Sequence, residues 1–88
     1  MASNTVIEYV MGELSNASRK YIVKLKLTVT EKMVNERPAP VARTVARHEL
    51  TPMSGIVIED DNYTLRYDFD GQQQQHSVRT QGGTLLAA

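Results

Sequence analysis

Between Tyr21 and Thr30 the chain alternates without a slip: Val23, Leu25, Leu27 and Val29 are separated by Lys24, Lys26 and Thr28. A period of two, rich in β-branched residues, describes a strand with one face buried and the other in water. Such a strand is not stable alone and needs a sheet to complete it. The lysines face water and discourage sideways pairing at an edge. The pattern extends to Val34. It ends at Asn35-Glu36-Arg37-Pro38-Ala39-Pro40, a loop, because Pro38 and Pro40 cannot donate to a ladder.

A second clean strand runs through Tyr63, Leu65, Tyr67 and Phe69, and Asp70-Gly71 follows it directly. That dipeptide favours a two-residue type I′ hairpin turn. With the turn placed there, Leu65 opposes His76 and Tyr63 opposes Val78, so apolar side chains share one face. Pro40 to Leu50 is less clear: Val41, Arg43, Val45 and Arg47 alternate with Ala42, Thr44, Ala46 and His48, and neither face is cleanly apolar. It reads as a strand returning antiparallel to the first. Thr51-Pro52-Met53-Ser54-Gly55 is a break, Ile56-Val57-Ile58 a short strand, and Glu59-Asp60-Asp61-Asn62 a turn. Gly82-Gly83 ends the last strand and leaves Thr84 to Ala88 as a short apolar tail.

Residues 5–15 allow two readings. Thr5-Val6-Ile7-Glu8 fits a capping box, and Val6, Ile7, Val10, Met11 and Leu14 then share a helical face. Gly12, the β-branched residues and the short length oppose a helix. A strand ending at Leu14, with Ser15-Asn16-Ala17-Ser18 turning into the next, is preferred. The expected fold is mostly β: a small antiparallel sandwich or barrel of six to seven strands, with one N-terminal helix packed on a sheet as the alternative.

At 88 residues the chain is one domain, 1–88, burying roughly 60–65% of its unfolded surface. It has no Cys, no Trp and a single Phe, so neither a disulfide nor a thiolate metal site supplements a thin core. A homo-oligomer sharing its core would ease that shortage. The short apolar runs exclude a helical membrane span. Met1-Ala2-Ser3-Asn4 lacks the basic and apolar regions of a signal peptide, so a cytoplasmic location is expected. The formal net charge is zero, against a general polyanion binder. Charge is nonetheless segregated: residues 19–47 are strongly basic and residues 49–70 strongly acidic. Cross-strand pairing of the two blocks is the plain reading. A two-faced surface is the sharper one.

No catalytic motif is present. His48 and His76 are the only histidines, and they lack metalloprotease spacing and any Ser or Asp partner at motif spacing. A zinc site would need them to converge with two carboxylates, so no metal or cofactor is expected, and His76 beside Leu65 reads as a packed sheet histidine. Asp68-Phe69-Asp70-Gly71 is better explained as a turn than as a calcium loop. Arg37, Arg43, Arg47 and His48 form the candidate partner-binding patch, with Arg43 and Arg47 as its anchors.

Two segments resemble the immunoglobulin-like β-sandwich modules called FxLYD domains. One is Gly12-Glu13-Leu14-Ser15-Asn16-Ala17-Ser18 followed by Tyr21-Ile22-Val23-Lys24-Leu25-Lys26-Leu27; the other is Leu50-Thr51-Pro52. They cover about a fifth of the chain. Thr28-Val29-Thr30 stands where that family has Leu-Tyr-Asp, and no Gly follows Pro52. The resemblance implies a binding module without catalytic residues. The expected function is therefore a non-enzymatic protein-interaction or assembly module that captures a protein or itself. Nucleic-acid binding on a basic sheet face and a small-ligand barrel are the alternatives.

Overall fold

The computed structural model describes residues 3–38, 43–52, 55–82 and 84–86. The alternating segments form strands β1 (Ser3–Ser15), β2 (Lys20–Val34), β3 (Arg37–Pro38), β4 (Thr44–Thr51), β5 (Asn62–Phe69), β6 (Gln72–Gln81) and β7 (Thr84–Leu86). All pairings are antiparallel in the order β4-β2-β1-β5-β6-β7, with β3 folded back on the end of β2. The end strands β4 and β7 approach each other, so the sheet rolls into a nearly closed barrel. Among the described residues there is no helix, hence none long and apolar enough to cross a membrane.

The helical alternative for residues 5–15 is not realised. β1 pairs with β2 along its whole length, from Ser3 opposite Lys32 to Ser15 opposite Lys20. Thr5, Val6 and Ile7 are β-branched and fit the pleated backbone. Two strands of 13 and 15 residues make this hairpin as long as the molecule, which measures 48 × 21 × 20 Å.

Alternation decides which side chains enter the barrel. Val23, Leu25, Leu27 and Val29 of β2 are fully buried, as are Leu14 and Leu65. Tyr63, Tyr67, Phe69 and Val78 complete the core from β5 and β6, and Val6, Val10, Val45, Leu50 and Leu85 pack against it. Each such leucine, buried completely, stabilises the fold by about 1.5–3 kcal/mol.

The turns are held by local chemistry. Asn16 Oδ1 accepts the backbone N–H groups of Ser18 and Arg19, each at 2.8 Å, and closes the β1–β2 connection. Asp70 and Gly71 have φ of 51° and 78°, which matches the type I′ turn expected there. The register follows, with Leu65 opposite His76 and Tyr63 opposite Val78. The expected loop after Val34 is tighter than its composition suggested. Asn35 and Glu36 turn in the left-handed region at φ 52° and 61° and return the chain as β3. Ala39 of the expected loop, and Pro40, Val41 and Ala42 at the start of the expected third strand, lie outside the described residues, as do Met53 and Ser54 of the following break.

Two expectations are corrected. Ile56-Val57-Ile58 is not a strand: Ile58 is buried in the core and Val57 is exposed, but no ladder forms. Thr80 instead anchors the turn that follows the segment. The Thr80 hydroxyl donates to Glu59 O at 2.8 Å, and the Thr80 N–H donates to Asp61 O at 3.0 Å. Thr84–Leu86 of the presumed tail is β7, returned onto Arg79–Gln81 through Gly82 at φ 59°; Ala87 and Ala88 lie outside the described residues.

Candidate functional site

Inside the barrel the apolar core is interrupted by two polar groups. The first combines His48, Tyr67 and His76. The registers place His48 opposite Leu27, His76 opposite Leu65 and Tyr67 opposite Gly12, so all three point inward. Tyr67 Oη lies 2.5 Å from His48 Nε2 and 3.3 Å from His76 Nε2. The imidazole centroids are 5.0 Å apart. The one phenol hydroxyl can serve both rings, since it donates its proton to one nitrogen and accepts an N–H from the other. β7 covers β6 only at Arg79–Gln81, so His76 lies beyond that ladder, where its ring meets His48 of β4. Beside it a groove of about 310 Å³ separates β4 from β7, lined by Arg47, His48, Glu49, Leu50, Thr84 and Leu85.

Burial raises the Tyr67 phenol above its ordinary range. Burial first, and His76 second, hold the His48 imidazole below its ordinary value. The unfolded chain therefore takes up the His48 proton before the folded one as pH falls. The stabilisation is complete above the unfolded value of about 6.5 and declines as pH drops toward the folded one. A lower urea midpoint at pH 5.5 than at pH 7.5 is expected, with a smaller difference in His48→Gln. Equal pH dependence in the two proteins would remove His48 as the cause.

The second group is built around Arg43. Its guanidinium pairs with Glu8 of β1, with Glu31 of β2 through Nε at 3.4 Å, and with Asp70 of the β5–β6 turn through Nη1 at 3.5 Å. It also lies over the Phe69 ring, 5.2 Å from the centroid. Nε is buried and its contact with Glu31 is not aligned as a hydrogen bond. Glu31 is itself only 8% exposed. One cation thus ties three strands and a hairpin tip together at one end of the barrel.

The outside of β1 differs from both. Ile7, Tyr9 and Met11 are 54%, 59% and 57% exposed and form an apolar stripe along one strand. Lys24 of β2 lies over the Tyr9 ring at 4.9 Å. β1 pairs with β5 only from Gly12 to Ser15. Among the described residues, the β5-side edge of Asn4–Met11 has no ladder partner. The other long edge, β4, carries Arg47 and Glu49 and a bulge at Ala46, devices that discourage sheet extension. The β1 stretch carries one charge, Glu8, and Arg43 occupies it from inside.

The expected partner patch is therefore distributed over several environments. Arg43 is enclosed by carboxylates, Arg47 is exposed beside Glu49, His48 points into the barrel, and Arg37 is exposed on β3. The bulge separates Arg43 from Arg47: Thr28 pairs with Arg47 but Val29 pairs with Val45, so Ala46 is the extra residue and the faces exchange. The basic and acidic segments do pair, through Arg19 with Glu59 and Asp61, Lys26 with Glu49, and Arg43 with Asp70. Sequence reasoning missed the stripe on β1. Its signal was present in Ile7, Tyr9 and Met11 at alternate positions. Comparisons of the chain with protein-family models, with curated proteins and with solved structures find no match.

Proposed function

We propose that the chain is a non-enzymatic assembly module that pairs with a second copy of itself through the β1 edge. The observation that carries this reading is the unpaired Asn4–Met11 edge bearing exposed Ile7, Tyr9 and Met11. Open edges with apolar faces invite strand addition. Antiparallel pairing about a two-fold axis at Glu8 sets Ile7 beside Tyr9 of the partner subunit and Thr5 beside Met11 of the partner subunit. On the inner side it sets Val6 beside Val10 of the partner subunit. A two-fold contact of this kind is self-complementary and closed. Each Glu8 is already neutralised by its own Arg43, and the β2 lysines stand one strand away from the seam. The zero net charge adds no long-range repulsion.

Light scattering coupled to size exclusion is expected to give twice the 9.9 kDa chain mass, at moderate and high salt alike. Ile7→Lys with Tyr9→Lys places like charges across the seam and is expected to return the chain mass with unchanged circular dichroism. A wild-type monomer at all accessible concentrations, or a dimer that the double variant leaves intact, overturns the reading.

A further inference from the structure

We propose that His48, Tyr67 and His76 form a site for one divalent transition-metal ion of the copper or zinc class, set where His48 of β4 meets His76 of β6. The inference is independent of pairing at β1. Both imidazoles aim the same nitrogen, Nε2, at a single phenol oxygen, at 2.5 and 3.3 Å. Ligand atoms held tetrahedrally at about 2.0–2.1 Å from an ion stand about 3.3 Å from one another. The His76–Tyr67 pair already has that separation, and His48 needs to withdraw by less than about 1 Å.

The donor set is two nitrogens and one oxygen. It suits copper and zinc and does not suit calcium or magnesium, which take oxygen ligands. His48 and His76 are half-buried, so an ion and a water in the fourth position can reach the cluster from the uncovered side of β6. Tyr67 and His76 are set by the β5–β6 ladder, and His48 is brought to them from β4 by the closing of the barrel. No group of three His, Cys, Asp or Glu side chains with metal-holding geometry occurs among the described residues, so no competing site of that kind is present there. A stoichiometry of one ion per chain is therefore diagnostic.

The test is titration of the metal-free protein at neutral pH with Cu²⁺ alone, Zn²⁺ alone and Mg²⁺ alone, followed by calorimetry and, for copper, visible absorption. One equivalent of Cu²⁺ and of Zn²⁺ is expected, copper the tighter, with no uptake of Mg²⁺. Copper loading is expected to displace the Tyr67 phenol proton to the solvent and to produce a phenolate-to-copper charge-transfer band. Tyr67→Phe is expected to abolish that band, and His48→Gln and His76→Gln each to weaken binding at least tenfold. Wild-type protein that takes up copper without the band, or binds no more tightly than the double variant His48→Gln/His76→Gln, overturns the proposal. The cluster is then a hydrogen-bonded network only. The band is read on wild-type protein, so the proposal stays testable where a variant fails to fold.

Discussion

Arg43→Met is expected to destabilise the protein strongly, lowering the urea midpoint far more than the removal of an exposed cation does. The methionine keeps most of the contact with Phe69 but leaves Glu31 buried without a counter-charge. A buried carboxylate without a partner loses its hydration uncompensated, and that opposes folding. Glu8 and Asp70 are more exposed and add less, because water screens them. Adding Glu31→Gln to Arg43→Met removes the stranded charge and is expected to restore half or more of the loss. Arg47→Met, at a side chain 72% exposed, is expected to shift stability by less than about 0.5 kcal/mol. Urea denaturation of the four proteins checks the set. Equal effects at Arg43 and Arg47 would show that the three-carboxylate contact does not hold the fold.

Gly12→Val is expected to cost about 3 kcal/mol or more, and Gly12→Ala about 1–2 kcal/mol. A Cβ at Gly12 would stand 2.6 Å from Leu25 Cδ1 and 3.2 Å from the backbone oxygen of Arg66. The leucine can rotate at the expense of its packing, whereas the carbonyl belongs to β5 and moves only if the β1–β5 ladder opens. Gly12 is therefore required by close approach between strands. The reduced freedom of the unfolded alanine chain offsets roughly 0.4–1 kcal/mol of its penalty. Loss of hydrogen-exchange protection at Thr64–Tyr67 in Gly12→Val, with the β5–β6 hairpin still protected, is the expected signature. Uniform loss across the molecule would place the damage elsewhere.

The fold was legible wherever the information was local. The β5–β6 hairpin could be registered residue by residue, because Asp70-Gly71 fixes the turn and the alternation fixes the face. β2 announced itself through its valines and leucines. β4 was readable as a strand but not as to its faces, because an extra residue at Ala46 reverses the alternation midway. The same reversal sent Arg43 inward and Arg47 outward, although their spacing in a regular strand would have put them together. β7 escaped notice because three residues carry no period, and only Gly82 hinted at a return. Ile56-Val57-Ile58 had the composition of a strand but joins the core through the Ile58 side chain without forming a ladder. For the histidine cluster, His76 could be placed beside Leu65 from the hairpin. Its meeting with His48 depends on how far the barrel closes, which no local pattern records.

The short β1–β5 ladder has a kinetic consequence. The other neighbouring strands are joined by local connections, so β1, β2 and β4 can assemble as one unit and β5, β6 and β7 as another. The ladder from Gly12 to Ser15 must then unite them across a large loop; Glu13 and Arg66, which meet in it, are 53 residues apart. Loop-closure entropy falls on that step, and non-local β pairing is slow. While the step is pending, β1 shows both of its uncommitted segments at once: the one destined for β5 and the one that stays open in the finished molecule. Refolding at high concentration therefore sets intramolecular docking against domain exchange, in which the second unit of one chain seats on β1 of another.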